Sequence, residues 1–357
     1  MSDGSRAAVR SVGTIAPDAW NERTVDVPGG HVMQGTCWAD QRRSGGGTPL
    51  FVTFEDGRCA LVTTRPQRPF GIFAAARKGP VHAGDAPERV AARAAALADV
   101  VRARGASELF IDPEMERSEA YRTAVAKAGF LVTDEAQPSI HLLRLDLPSG
   151  TPEDELWASI AKSTRQRIQA ARRAGVTVRA DTVGECLDAF ATLLAVRSED
   201  LGVHLRPEFG SLPFSRRLMA AGQARLYVAE RESELLGGLL VYLQGGAVST
   251  IYSADRADRR HAYPGVMHLV RWTLICDAVA AGMPFVDLGG VDLPGHRQPP
   301  RPGDPTYGLY EHKASFGAIW VEREPARRMV LRPWADRAAR AGRWAVGRAR
   351  RTGGSAA

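Results

Sequence analysis

Little in this sequence points to a secreted, membrane-spanning or metal-binding protein. Only four of its 357 residues are cysteines, with no Cys-x-x-Cys pair, so we expect reduced thiols in a cytoplasmic protein rather than disulfides or zinc ligands. No run of about 18 apolar residues suggests a membrane span, and MSDGSRAAVR at the N-terminus lacks the apolar core of a secretory signal. Five histidines show no paired metal spacing, and we expect no metal site: His31, His204, His261, His268 and His296.

The positive charge is concentrated at one end of the chain. The formal net charge is +7. Residues 327–351 hold nine arginines and one acid, which gives this stretch +8 and leaves −1 for residues 1–326. A near-neutral body argues against a DNA compactor coated in basic surface. The basic stretch could bind tRNA phosphates or the anionic inner membrane surface, or it could be a solubilising appendage.

Length and composition favour a globular protein of about two domains. Hydrophobic residues make up 44% and charged residues 24% of the chain, which is ordinary for folded proteins. After a loose lead-in at residues 1–22, strand and helix patterns alternate up to residue 150, as in an α/β or α+β domain. We predict strands at 50–54, 59–63, 108–112 and 139–147, and helices at 87–104 and 115–128.

The second half has the element order of a GNAT-like acyltransferase domain. A helix at 155–174 is closed by Gly175, and the stretch 224–255 predicts three consecutive strands with turns at ESE and QGG. The remaining predicted elements are a strand at 176–180, a helix at 183–202, loop and helix at 206–221, a helix at 263–281 and a strand that runs into a turn at 284–291.

Eight segments carry a resemblance to a known family. They are QGTCWADQR (34–42), RKGPV (77–81), FIDPE (110–114), QPSIHLLRLDL (137–147), SIAKSTRQRIQAARRAGVTV (159–178), IYSAD (251–255), PFVDLGGV (284–291) and YEHKASFGAIWVE (310–322). Over about residues 30–325 the chain resembles the Fem-type (FemA-, FemB- and FemX-like) aminoacyltransferases, which build peptidoglycan interpeptide bridges.

The resemblance implies a fold and a reaction. The fold is α/β (α+β), with two GNAT-like acyltransferase domains, each a mixed sheet flanked by helices, and without a coiled-coil arm. Domain 1 would comprise residues 23–150 and about 314–326, domain 2 residues 151–313, and residues 327–357 would be a basic tail. The reaction would move an amino acid from aminoacyl-tRNA, a co-substrate rather than a cofactor, to an amine of a nucleotide- or lipid-linked muropeptide in cell-wall biogenesis.

Lys313 and Asp112 are the catalytic candidates that the resemblance implies. The family's lysine lies at the catalytic channel, where an ammonium would stabilise the oxyanion formed when an amine attacks an ester. The family's carboxylate lies near the acceptor amine, whose proton Asp112 could accept or orient. Without the resemblance, Lys313 would be a surface lysine. Asp112, which precedes Pro113, could equally be a helix N-cap.

The predicted helix 155–174 is a candidate contact for tRNA or acceptor phosphates. Between Ala158 and Val176 it has five basic residues and no acid, beside an apolar stripe of Ile160, Ile168 and Ala171. Arginine pairs with phosphate through two parallel hydrogen bonds. A solvated basic face is the alternative. The basic residues are Lys162, Arg165, Arg167, Arg172 and Arg173.

Five further residues are candidates for binding the acceptor. Arg42 and Arg206 match basic positions of the family, although Arg43 is adjacent to the first. Tyr252 and Tyr263 could line the channel or belong to the core. His312 stands where the family often has an aromatic residue, and could permit proton transfer. Asp287 in VDLGGV is interpreted as structural, pinning its turn.

Three other functions stay open. The acceptor could be a small-molecule amine in antibiotic biosynthesis or resistance. An acetyl-CoA-dependent N-acetyltransferase would need a glycine-rich pyrophosphate turn, whereas RRHAYPGVM (259–267) lacks that glycine spacing and contains Pro264, which has no N–H. A non-catalytic RNA- or membrane-binding protein would depend on the basic stretch alone.

Overall fold

The computed structural model describes residues 7–67, 71–137, 139–200 and 212–334. Their contacts divide the chain into two compact units. The first comprises the described residues up to Thr24, Met33–Ala136, and those from Glu324 onward, and the second comprises Val25–Val32 and Gln137–Arg323. Each unit contains one seven-stranded mixed sheet.

The first unit is built on a sheet with the order β1-β2-β3-β4-β5-β14-β6. Only β4 and β5 run parallel, and the other neighbours are antiparallel. The strands are β1 (Val9–Gly13), β2 (Thr48–Phe54), β3 (Cys59–Pro66), β4 (Ile72–Lys78), β5 (Ala106–Pro113), β6 (Leu131–Val132) and β14 (Arg327–Val330).

The helices of the first unit begin and end at residues suited to those positions. Helix α3 (Pro87–Ala103) has Pro87 in its first turn, and Gly105 just beyond it adopts a φ of +85°. Ser118 caps α4 (Glu119–Lys127) by accepting a hydrogen bond from the Tyr121 amide. Leu97, Ile111 and Tyr121 are in the apolar core between sheet and helices. The two remaining helices are α1 (Trp20–Thr24) and α2 (Thr36–Ser44).

The second unit has the sheet order β13-β7-β12-β11-β10-β9-β8, in which only β11 and β12 are parallel. Its strands are β7 (Leu142–Asp146), β8 (Thr177–Asp181), β9 (Ala224–Arg231), β10 (Glu234–Gln244), β11 (Ala247–Asp255), β12 (Phe285–Asp287) and β13 (Ile319–Val321). Its helices are α5 (Glu153–Ser159), α6 (Lys162–Arg173), α7 (Leu187–Asp200), α8 (Leu212–Ala220), α9 (Val266–Ala280) and α10 (Tyr307–Ala314).

The two sheets share one topology. In each, four antiparallel strands are followed by a helix that crosses over to a fifth strand, which pairs parallel with the fourth: β4–α3–β5 in the first unit and β11–α9–β12 in the second. The expected fold of two GNAT-like mixed sheets flanked by helices is therefore confirmed. It also places Asp112 and Asp287 near the ends of equivalent strands, within Phe110–Asp112 and Phe285–Asp287.

Several segments lie elsewhere than the sequence boundaries suggested. Strand β7, expected to close domain 1, pairs with β12 and β13 in the second unit, as does the expected closing segment after Lys313. Residues 327–330, expected in the basic tail, form β14 between β5 and β6. Residues 9–13, expected in the lead-in, form β1 and pair with β2.

No helix in the described part of the chain is long and apolar enough to span a bilayer. The four cysteines are all free thiols.

Candidate active site

Lys313 is buried at the end of α10. The residue is 5% exposed, and its Nζ donates a hydrogen bond of 3.0 Å to the carbonyl oxygen of Gly290. Among the described residues, no carboxylate forms an ion pair with it. A lysine is seldom buried without a paired acid, because desolvation opposes its charge. The side chain therefore has little reason to be there for stability alone.

The charges around Lys313 work against one another. Burial, and then the positive charge of Arg271, lower the pKa of Lys313 to about 7, whereas Asp287 and Asp292 favour the charged form. The ammonium and the neutral amine therefore coexist near neutral pH. A lysine in this state can donate a proton or accept one without a large free-energy cost.

The turn after β12 holds the carbonyl that Lys313 contacts. Asp287 accepts a hydrogen bond of 2.7 Å from the Gly289 amide, so its predicted turn-pinning role is confirmed. Gly289 has a φ of +79°. At Gly290 an added Cβ would come within 2.4 Å of the His141 carbonyl oxygen. The Gly-Gly pair therefore meets a conformational and a steric requirement of this turn.

Asp292 fixes the other side of the same turn. Its carboxylate accepts hydrogen bonds from the backbone amides of Ile140 and His141, at 3.1 to 3.2 Å, and from the side chain of Arg297. The Asp292 side chain is completely buried. These contacts attach the turn to the residues that lead into β7, so the position of the Gly290 carbonyl is well determined.

A buried polar chain runs beside Lys313. Arg271 on α9 lies 2.8 Å from His312 Nε2, through one guanidinium nitrogen, and 3.5 Å from Ser253 Oγ, through the other. His312 Nδ1 in turn lies 3.1 Å from His268 Nε2. Burial, followed by nearby positive charge, lowers the pKa of His312 strongly and that of His268 to about 4. Both imidazoles are therefore neutral at physiological pH.

The predicted helix 155–174 is two helices. Helix α5 ends at Ser159, and α6 begins at Lys162. At the break, the Ala161 amide donates to the Ser315 carbonyl oxygen at 2.9 Å. Thr164 and Ser315 join their hydroxyls at 2.7 Å. The break thus ties the start of α6 to the residues that follow Lys313.

The five basic residues of α6 fall into two groups. Arg165 donates to the carbonyl oxygens of Trp157 and Ala158, at 3.1 and 2.7 Å, and Arg172 lies 5.8 Å from the Trp157 ring centre. Both have structural contacts with α5. Arg172 is nevertheless exposed, as are the other three basic residues, Lys162, Arg167 and Arg173. The expected apolar stripe of Ile160, Ile168 and Ala171 is buried.

The two candidate tyrosines are half-buried in the second unit. Tyr252 is on β11, and burial raises its pKa to about 12. Tyr263 lies before α9, with the Arg231 guanidinium 5.5 Å from its ring centre. It also packs against the apolar core. Their roles toward an acceptor stay predictions.

Asp112 lies in the first unit, near the end of β5. One carboxylate oxygen accepts a hydrogen bond of 2.9 Å from Arg77 Nε, and the other accepts one of 2.8 Å from the Lys78 amide. It is not a helix N-cap, because the next helix begins at Glu119 and is capped by Ser118. The carboxylate is therefore held in a fixed orientation, and its predicted role toward an amine stays a prediction.

Of the two arginine candidates, the structure describes Arg42 but not Arg206. Arg42 is half-buried on α2, with its guanidinium 5.5 Å from the Trp38 ring centre. Arg43 is exposed and pairs with Asp40 at 2.7 Å. Arg206 lies outside the described residues.

Three residues of this site were missed by sequence reasoning: Arg271, His268 and Asp292. Arg271 had a detectable signal, because it is the only arginine or lysine in the mostly apolar stretch Val266–Ala280. The pairing of His268 with His312 spans 44 residues and has no local signature. In the described part of the chain, no three His, Cys, Asp or Glu side chains are grouped to hold a metal ion.

Comparisons with known proteins agree with this architecture. Residues 158–313 match the family model of an acetyltransferase (GNAT) domain, a segment that ends at Lys313. A search of curated protein sequences gives no significant match.

The similarity to solved structures extends over most of the chain, beyond the segment that the family model matches. The crystal structure of FemX is similar with a TM-score of 0.73 and 17% identity, over 90% of this chain and 98% of that one. The C-terminal domain of a predicted lysylphosphatidylglycerol synthetase from Agrobacterium fabrum has a TM-score of 0.53 and 16% identity, over 86% and 90%. A conserved protein of unknown function from Bacteroides thetaiotaomicron has a TM-score of 0.52 and 12% identity, over 89% and 97%.

The chain therefore has the fold of FemX. The resemblance to Fem-type enzymes that its motifs indicated is confirmed as far as the fold is concerned. Its second half carries a GNAT acyltransferase domain, with Lys313 as the last residue of the match.

Proposed function

We propose that the protein is an aminoacyl-tRNA-dependent aminoacyltransferase that acts on an amine of a peptidoglycan precursor stem peptide. The observation that carries the proposal is Lys313, a buried amine without an ion-pair partner among the described residues, in a GNAT acyltransferase domain of FemX-like fold.

The chemistry fits a group with the properties of Lys313. The nitrogen lone pair of the acceptor amine attacks the ester carbonyl carbon, a C–N bond forms, and the bond to the ribose 3′-oxygen breaks. Overall, one proton moves from the amine to the 3′-oxygen. An ammonium has three donors, and Gly290 occupies one of them. Two remain for the oxyanion and the leaving oxygen, and a pKa of about 7 suits proton donation near neutrality.

Acetyl-CoA is disfavoured as the acyl donor by the start of α9. Coenzyme A sites in GNAT proteins use free backbone N–H groups before a helix to bind the pyrophosphate. Here Pro264 removes one such donor. The next residue, Gly265, has a φ of +86°, and an added Cβ would meet the Arg167 carbonyl oxygen at 2.1 Å. This glycine thus permits close packing of α6 against α9.

A second candidate is transfer to a lipid. The similarity to a predicted lysylphosphatidylglycerol synthetase favours it, because the product named there carries an amino acid on a lipid hydroxyl. The greater similarity to FemX favours the amine acceptor. A small-molecule amine would use the same chemistry.

The test is to identify the product by mass. Purified protein is incubated with a pool of charged tRNAs and one class of acceptor in each reaction. The acceptors are a lipid-linked muropeptide, a nucleotide-linked muropeptide, phosphatidylglycerol and a panel of small amines. Acetyl-CoA replaces the charged tRNA in parallel reactions. The proposal predicts an aminoacyl mass increase on a muropeptide, and only with charged tRNA. Acetylation of any acceptor, or aminoacylation of the lipid alone, would contradict it.

A further inference from the structure

The Arg271–His312–His268 chain has one possible direction of hydrogen bonding. A guanidinium only donates hydrogen bonds, so His312 Nε2, 2.8 Å from Arg271, accepts and carries no proton. A neutral His312 then carries its proton on Nδ1 and donates it to His268 Nε2, 3.1 Å away. His268 consequently carries its own proton on Nδ1. Geometry alone fixes both tautomers.

Arg271 is an unusual member of such a chain. It is 3% exposed, and its buried Nε atom has no hydrogen-bond partner among the residues that the structure describes. No described carboxylate forms an ion pair with it. Burial lowers the pKa of this guanidinium to about 10. Its charge is therefore retained at neutral pH at a considerable desolvation cost, next to a second buried cation.

We propose that Arg271 is a positioning residue for Lys313: through His312 it holds the last turn of α10, and it keeps a fixed positive charge facing the lysine so that the amine can lose its proton. The catalytic part of this inference rests on the proposed function, whereas the electrostatic part does not. His312 links the two roles, because it accepts from Arg271 and directly precedes Lys313 in the chain.

Charged and titratable groups from several elements influence Lys313 and the histidine pair. Arg271 on α9 opposes protonation of Lys313. The carboxylates of Asp287, at the end of β12, and Asp292, in the turn after it, favour protonation. Arg167 on α6 opposes protonation of both histidines. The described groups are Arg167, His268, Arg271, Asp287, Asp292 and His312. Of these, Arg271 alone bears a permanent charge that lowers the pKa of Lys313.

Lysine NMR tests the charge directly. The chain contains four lysines, Lys78, Lys127, Lys162 and Lys313, so ¹³C-lysine labelling gives four side-chain signals, and K313M assigns the fourth. We expect the wild-type Lys313 signal to titrate near pH 7. R271Q keeps a donor for His312 but loses the charge, and should raise the midpoint by about one unit or more. An unchanged midpoint in R271Q would overturn the inference.

A second test observes the histidine tautomers in the wild-type protein, and variants serve only to assign the signals. In ¹⁵N-histidine-labelled protein, long-range ¹H–¹⁵N spectra distinguish imidazole tautomers. Two of the eight histidines, assigned with H312F and H268F, should keep the Nδ1–H tautomer and not titrate between pH 5 and 8. A protonated Nε2 on His312 would refute the chain.

Activity separates this inference from the proposed function. If aminoacyl transfer requires the ammonium form of Lys313, kcat should fall above pH 7 in the wild type. In R271Q this fall should move to higher pH together with the NMR midpoint. Should the NMR midpoint shift in a protein that transfers no aminoacyl group, the electrostatic role of Arg271 stands and the proposed function fails.

Discussion

At the scale of the residue, the decisive feature is a lysine whose charge its surroundings oppose. Lys313 has one hydrogen-bond partner, the Gly290 carbonyl, and a buried arginine on the neighbouring helix. If stability were the only requirement at this position, an apolar side chain would be favoured over lysine. The burial of a titratable amine is instead typical of groups that handle protons in catalysis.

The pH dependence of stability tests this burial. The pKa of Lys313 is about 7 in the folded state and about 10.4 in an unfolded chain. Because the unfolded state binds the proton more tightly, Lys313 destabilises the fold fully below pH 7, and the penalty is relieved as pH rises toward 10.4. The free energy of unfolding of wild type should therefore rise relative to that of K313M between pH 7 and 9, by up to about 1.4 kcal/mol per unit.

Urea denaturation at several pH values measures this difference. K127M replaces an exposed lysine on α4 and is the matched control, expected to stay within about 0.5 kcal/mol of wild type. A constant difference between wild type and K313M across this range would show that Lys313 titrates normally.

At the scale of the element, the break between α5 and α6 determines where positive charge is presented. Because α6 begins anew at Lys162, its first turn reaches Ser315, two residues after Lys313. Arg165 and Arg172 are used to attach α6 to α5. Arg172 stays exposed, and together with Lys162, Arg167 and Arg173 it is accessible to an external polyanion.

Substitutions on α6 should separate binding from stability. The double variant R167Q/R173Q should raise the KM for charged tRNA. It should also make binding less dependent on salt: the slope of the logarithm of the binding constant against the logarithm of salt concentration should become shallower by about one unit for each phosphate that is no longer neutralised. R165Q should lower the melting temperature instead, because it removes two hydrogen bonds to main-chain carbonyls. R104Q changes an exposed arginine of the first unit and should alter neither. Unchanged tRNA binding in the double variant would exclude Arg167 and Arg173 as tRNA contacts.

At the scale of the whole molecule, the same sheet topology occurs twice along the chain. Equivalent strands carry Asp112 and Asp287 near their ends. Asp112 accepts a hydrogen bond from the Lys78 amide on the neighbouring strand β4, and Asp287 accepts one from the Gly289 amide in the turn after its own strand. In the second unit this position adjoins the Lys313 site. Each carboxylate has an arginine partner: Arg77 lies 2.8 Å from Asp112 in the first unit, and Arg323 lies 3.8 Å from Asp287 in the second.

Local patterns account for what the sequence predicted well. The helix 87–104 and the three strands within 224–255 were found because apolar periodicity and turn residues are encoded within a few positions. Strand β14 was missed because RRMV has no strand pattern of its own. It becomes a strand by pairing with β5, more than 200 residues earlier.

The site was only partly predictable for the same reason. The resemblance indicated Lys313, yet its burial and its arginine neighbour arise from packing of α9 against α10. The contact between Arg271 and His312 joins residues 41 positions apart. No spacing within one element can reveal such a pair.

Truncation tests the division between body and basic tail. Removing residues from Arg327 onward deletes β14, which pairs with both β5 and β6, and should destabilise the first unit strongly. Removing residues 335–357 retains every described strand and should preserve the fold, as measured by circular dichroism and thermal unfolding. Aminoacyl transfer that survives the shorter truncation would exclude a protein whose function depends on the tail alone.

The most direct test of the account compares K313M with wild type and K127M in the product assay with charged tRNA and a muropeptide. The account predicts at least a ~100-fold lower rate of aminoacyl transfer for K313M, the usual effect of removing one oxyanion stabiliser, and an unchanged rate for K127M. Wild-type turnover by a folded K313M protein would contradict the role of Lys313 on which the proposed function rests.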